Sequence, residues 1–157
     1  MPETRAGKFA VSVTNWTRKA AANADQVLRA VCIGLLNNVV VRSPVGNPDL
    51  WKGDKYGFIR PPEGYVGGRF RANWQVSTGD PATGTRDAVD ASGQISVLAG
   101  QVVLDGVKCG PPVYIVNNLP YAIPLEYGHS TQAPAGMVRL AAVEFQQIVD
   151  DAVRGLS

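Results

Sequence analysis

The chain has 157 residues, 45% of them hydrophobic, enough for one core and too few for two comfortable domains. A formal net charge of +2 supplies no field strong enough to mark a nucleic-acid or membrane partner. No run of about 18 apolar residues stands in the sequence, and the start MPETRAGKFAVSV lacks the apolar core and cleavage site of a secretory signal.

Seventeen glycines and 11 prolines, with charged residues at only 18%, point to a folded domain carrying substantial irregular loops. The two cysteines, Cys32 and Cys109, cannot build a metal cluster alone and read as reduced thiols of a cytosolic product.

In chain order, Phe9, Val11 and Val13 alternate with Ala10 and Ser12, which predicts a short first strand, with Thr14 and Asn15 suited to a turn. Helical spacing follows over residues 17–41. Ala24, Val27, Val31, Leu35 and Val39 step by three or four, and Leu28 and Cys32 widen the apolar face. Arg29, Asn37 and Asn38 then need solvent or partners. Ser43-Pro44 ends the helix, because the residue before proline is pushed out of the α region.

Residues 43–71 hold six glycines and four prolines, so neither a long helix nor a long strand should persist there. They also hold Trp51, Tyr56, Phe58, Tyr65 and Phe70, and between Leu50 and Ala72 the basic Lys52, Lys55, Arg60, Arg69 and Arg71 stand against Asp54 and Glu63. Disordered segments are poor in aromatic residues, whereas Trp, Tyr and Arg are enriched where proteins meet. Three roles stay open: cover for the domain's own core, a partner-binding arm, or a stacking surface for single-stranded nucleic acid. The small charge excess places the last behind the others.

ANWQVST (residues 72–78) reads as a strand with Trp74 and Val76 on one face, followed by a turn region over GDPATGTRD. Over residues 92–105, Ile95, Leu98 and Val102 fit a helix with Ser92 as N-cap and Gly106 beyond its end, against β-branched residues and glycines that favour strands. The helix is preferred. Asp80, Asp87, Asp90 and Asp105 outnumber Arg86, so this region could face the basic loop of a neighbouring copy.

Val113 and Ile115 predict a strand after Pro111-Pro112. Residues 120–128 fit a short helical turn stopped at Gly128, the rival being an edge strand limited by Pro124. A last helix, opened near Pro134, should bury Val138, Ala142, Phe145, Val149 and Ala152 as one stripe and fray after Arg154.

YIVNNLPYA-x-x-LEYG-x-S-x-QAP-x-GMVRL-x-x-x-EFQ (residues 114–146), with SPVGNPDLWKG and YVGGRFRANWQVS upstream, resembles the neck or tail-completion proteins of long-tailed bacteriophages. The resemblance runs from about residue 24 onward. It implies a structural virion protein, made in the host cytoplasm, that joins tail to head as a self-assembled ring. Its neighbours would be tail-tube or tail-terminator and head-connector proteins, with DNA passing through the lumen without specific binding and with no membrane partner. The runner-up is a minor tail component, or a tail-associated protein-binding module, without a joining role.

An enzyme finds no residue set to stand on. His129 is the only histidine, Cys109 has no local signal of activation, and Gly64, Gly67 and Gly68 make neither a dinucleotide fingerprint nor a P-loop. No catalytic residue, cofactor or metal is therefore expected. Trp51, Lys52, Tyr56, Phe58, Tyr65, Arg69 and Arg71 are the first interface candidates. Glu126, Tyr127 and His129 are the second group: either they form a subunit contact, or Tyr121, Leu125 and Tyr127 cap the core with Glu126 paired to Arg139 or a backbone amide. The expected fold is a single α+β domain, with a small, mainly antiparallel sheet packed by a long N-terminal and a C-terminal helix. Residues 43–71 would project from it as an assembly arm.

Overall fold

One helix sets the architecture. The computed structural model describes residues 5–50 and 61–156, with backbone only for residues 5–11 and 50. Helix α1 (Arg5–Arg42) is 38 residues long, about 57 Å at 1.5 Å per residue. Its C-terminal half buries Val31, Cys32, Leu36, Val39 and Val40. It stops where the Ser43 hydroxyl donates to Val39 O (2.6 Å) and accepts the indole N–H of Trp74 (2.7 Å), just before Pro44.

The strand expected at Phe9–Val13 is part of α1, whose start lies at Arg5 rather than near Thr17. Alternation over five residues cannot outweigh a helix already nucleated by a buried face, where each added residue gains a backbone hydrogen bond. The only sheet among the described residues also offers such a strand no partner. From Ser12 to Arg42, α1 is long and apolar enough, by length and composition, to cross a membrane. Its polar residues have partners within the body, however: Arg29 donates to Val107 O (2.7 Å), and Asn38 and Arg42 reach Glu144.

The chain forms an α+β fold around a two-stranded antiparallel sheet. Strand β1 (Trp74–Thr78) pairs with β2 (Val113–Asn117) from Trp74 opposite Asn117 to Thr78 opposite Val113. A four-residue turn of helix, α2 (Arg69–Ala72), precedes β1, so the strand starts two residues later than its sequence suggests. The helix preferred over residues 92–105 is α3 (Gln94–Asp105). It runs antiparallel to α1, with Gly93 against Val40, Gly100 against Leu36 and Val107 against Arg29. A Cβ on Gly100 would stand 2.2 Å from Leu36 Cδ2, so only glycine lets the two helices approach this closely.

Two residues before Leu36, Gly34 meets Ile148 of the C-terminal helices. Two residues turn a helix by roughly 200°. Helix α3 and the C-terminal helices therefore grip α1 from opposing sides.

Helix α4 (Ala122–Glu126) is the expected short turn, ended at Gly128 with φ +81°. The single C-terminal helix expected from Pro134 is two, α5 (Val138–Val143) and α6 (Phe145–Arg154), hinged at Glu144. Gly136 at φ +80° keeps the helix from starting earlier. The burial phase differs as well. Ala141 is buried and Ile148, Val149 and Ala152 are partly covered, whereas Val138, Ala142 and Phe145 stay exposed and line an apolar groove with Leu35 and Val39.

The two described ends of residues 43–71 join the body at residues 43–44 and 67–70, while residues 61–66 are exposed. Pro44 and Phe70 are buried, and a Cβ on Gly67 would lie 2.4 Å from Gly46 O. The candidates Trp51, Lys52, Tyr56 and Phe58 lie outside the described residues.

Candidate interaction cleft

Glycine pairing brings two distant stretches together. The Tyr65 hydroxyl lies where a Cβ on Gly46 would be, 2.0 Å away, and Gln132 ties residue 45 from the other side. Its amide accepts from Val45 N (3.2 Å) and donates to Val45 O (2.9 Å). Between these segments opens a cleft of about 650 Å³, lined among others by Tyr65, Arg69, Phe70, Tyr121, Leu125, His129 and Gln132. The Phe70 ring anchors its floor, edge-on to Trp74 at 6.0 Å and tilted against Tyr121 at 6.0 Å. Burial pushes the Tyr121 phenol up, opposed by the Arg69 charge and reinforced by Tyr65.

Tyr65, Arg69 and His129, chosen from separate stretches of sequence, thus share one cleft. Tyr127 stands outside it, 74% exposed, with the Arg139 guanidinium 5.1 Å above its ring. Tyr121 and Gln132 complete the lining, although their side chains carry no distinguishing sequence signal beyond their place in the quoted motif.

Two other candidates are engaged internally. Arg71 donates to three backbone carbonyls, Ser43 O (3.0 Å), Ala91 O (2.6 Å) and Val41 O (2.9 Å), and so braces the end of α1. Glu126 accepts from the N–H groups of Met137 (2.8 Å), Val138 (3.0 Å) and Arg139 (2.9 Å), the donors a helix start leaves unpaired. The Arg139 guanidinium adds a 3.4 Å contact to the same carboxylate. Burial alone would raise the Glu126 carboxyl, but these amides outweigh it and hold it below its usual value.

Glu126→Gln should therefore lower stability by about 1–2 kcal/mol at neutral pH, the size of a lost charged cap. Because the folded carboxyl is the more acidic, its contribution is present above the unfolded value near 4.3 and fades as pH falls through the folded one. Urea unfolding at pH 7 and pH 3 checks this: a gap between wild type and variant that does not shrink in acid would refute the capping role.

Cys109 lies elsewhere, its N–H donating to Asp25 in α1 (2.7 Å). Desolvation, and then the Asp25 carboxylate, push its thiol up, the opposite of what an activated nucleophile requires. Among the described residues no group of three or more His, Cys, Asp or Glu could hold a metal ion.

No protein-family model, curated protein or solved structure matches this chain. Its function therefore rests on its own residues. The cleft and the neighbouring Tyr127–Arg139 pair offer flat aromatic and guanidinium surfaces, chemistry suited to holding a protein surface.

Proposed function

We propose that this chain is a structural phage virion protein acting at the neck, where it completes the tail and joins it to the head as part of an oligomeric ring. The observation that carries the proposal is the convergence of two stretches bearing the sequence resemblance on one surface. YVGGRF supplies Tyr65, Arg69 and Phe70, and PYA-x-x-LEYG-x-S-x-Q supplies Tyr121, Leu125 and Gln132. The role is one of interface formation, not catalysis. In a ring, one patch of each copy meets a different patch on the next. The remaining surfaces would meet tail-tube or tail-terminator and head-connector proteins, and DNA would pass through the lumen without base-specific contact.

Electron microscopy of particles assembled with this reading frame interrupted tests the role directly. Separate filled heads and finished tails are expected. Normally joined particles would overturn the neck role in favour of a minor tail component. For the cleft itself, Arg69→Ala is expected to leave the melting temperature within about 2 °C, as for an exposed residue, while reducing the yield of joined particles at least tenfold. Full joining by that variant would remove the cleft from the interface.

A further inference from the structure

Every residue of α1 from 12 to 24 is exposed, including Val13 (44%) and Trp16 (70%). The helix leaves the body at Asp25, where Cys109 closes the end of the packed region. This arm is a poor candidate for a helix that stands alone. Residues 11–17 read VSVTNWT, seven consecutive residues of low helix propensity, so continuing the helix through them from the packed half gains little in water by itself. An exposed helix of such composition requires a covering surface, and Val13, Trp16 and Ala20, at i, i+3 and i+7, form the stripe to be covered.

The same chain carries a matching surface. On α3 the residues Ile95 (68%), Leu98 (62%) and Val102 (75%) repeat the same i, i+3, i+7 spacing and stay largely exposed, with Leu98 edging a shallow groove beside Val40 and Val41 of α1. Charge agrees with the pairing. The sequence from Arg5 to Ala24 contains four basic residues and no acidic one, whereas residues 87–107 contain three aspartates and no lysine or arginine. Asp90 is consumed internally, which leaves Asp105, three residues after Val102 on the same face of α3, to meet the basic arm. The arm points away from its own α3, past that helix's C-terminal end, so the contact must be made between copies.

We infer that the N-terminal half of α1 docks its Val13–Trp16–Ala20 stripe on the Ile95–Leu98–Val102 face of α3 in a second copy of this chain. The contact is heterologous, arm to face, so a pair of copies keeps one unused face on one member and one unused arm on the other, the geometry that propagates into a ring. It rests on the proposed self-assembly and assigns the surfaces that make it.

Sedimentation equilibrium of the full chain tests the contact with Trp16→Asp, Leu98→Asp, Phe145→Asp and an equimolar mixture of the first two. All three side chains are exposed, so at a concentration where wild type is dissociated the melting temperatures should match. Wild type and Phe145→Asp should associate alike, while Trp16→Asp and Leu98→Asp should each weaken association at least ~30-fold, as for a central aromatic or aliphatic anchor. The mixture should form a one-to-one pair and stop, since the intact arm of Leu98→Asp fits the intact face of Trp16→Asp. A monomeric wild type, wild-type association by either arm or face variant, or a mixture that stays monomeric would overturn the inference. So would loss of association in Phe145→Asp alone, which would place the partner in the groove beside α5. The neck role is judged separately by the interrupted reading frame, so the two fail apart.

Discussion

Replacing Gly68 with alanine should destabilise the protein by roughly 3–5 kcal/mol, the sum of left-handed backbone strain and a clash that cannot relax. Gly68 has φ +111°, and a Cβ there would meet Ala91 N at 2.4 Å, Asp90 C at 2.6 Å and Ala91 Cα at 2.7 Å. All three are backbone atoms, so no rotamer change can open space. Its carbonyl also accepts from Ala72 N (3.0 Å) and Asp90 N (3.2 Å), which locks the turn before β1 to the loop before α3. Gly64 supplies the control: it too has positive φ, +73°, but none of the described residues lies within 4 Å of its Cβ position. Gly64→Ala should cost only about 1 kcal/mol, the strain alone. Equal urea midpoints for the two variants would show that the backbone contact at Gly68 does not matter.

Asp90→Ala should cost about 3 kcal/mol, because it strips acceptors from several buried donors at once. Asp90 is 5% exposed. One carboxylate oxygen accepts from Gly93 N (2.9 Å) and the Ser92 hydroxyl (2.9 Å), the other from Ser96 N and its hydroxyl (both 2.8 Å). Asp90, and not Ser92, is thus the principal cap of α3. Burial pushes its carboxyl up, but the hydrogen bonds from Ser96, Ser92 and Gly93 prevail and hold it below its ordinary value. A folded value below the unfolded one, near 3.9, means the stabilisation is complete above that pH and is lost as pH falls through the folded value. Asp90→Asn, which keeps one acceptor oxygen, should lose about half as much as alanine. Thermal unfolding from pH 7 to pH 2.5 reads both effects, and a wild type whose advantage over Asp90→Ala persists undiminished in acid would refute the assignment.

The two carboxylate caps show what was legible and what was not. Strand positions around Trp74, Val76, Val113 and Ile115 were readable because β-branched and aromatic side chains favour extended backbone locally; burial does not alternate along either strand, since Gln75 is buried between Trp74 and Val76. The stop at Gly128 was readable because a positive φ favours glycine whatever surrounds it. The α5 start was not, because its cap comes from Glu126, eleven residues before the first N–H it accepts, and Pro134 offered a nearer signal. The break at Glu144 escaped for a similar reason. That carboxylate is drawn onto α1 by Asn38 (2.7 Å) and Arg42 (2.5 Å), more than 100 residues away in sequence. The Phe9–Val13 misreading came from five alternating residues, too few to separate a strand from one face of a helix. In the cleft, residue types made Tyr65, Arg69 and His129 candidates, but their meeting depends on the Gly46–Gly67 approach, which no local pattern announces. Arg71 had the same composition signal as Arg69 and proved to be a brace.

Helix α1 runs unbroken from the clamp formed by α3 and α6 to its N-terminal end. A rod held at one end is a lever. The 20 residues before Asp25 span about 30 Å, so a tilt of only 10° at the clamp displaces the tip by roughly 5 Å, about one helical turn. The small contacts that seat the clamp, Gly34 on Ile148 and Gly100 on Leu36, therefore set where the far end points. A methyl group added at either glycine would be felt most strongly not in the core, where it is placed, but at the distant tip, where a sub-ångström adjustment has become a missed register.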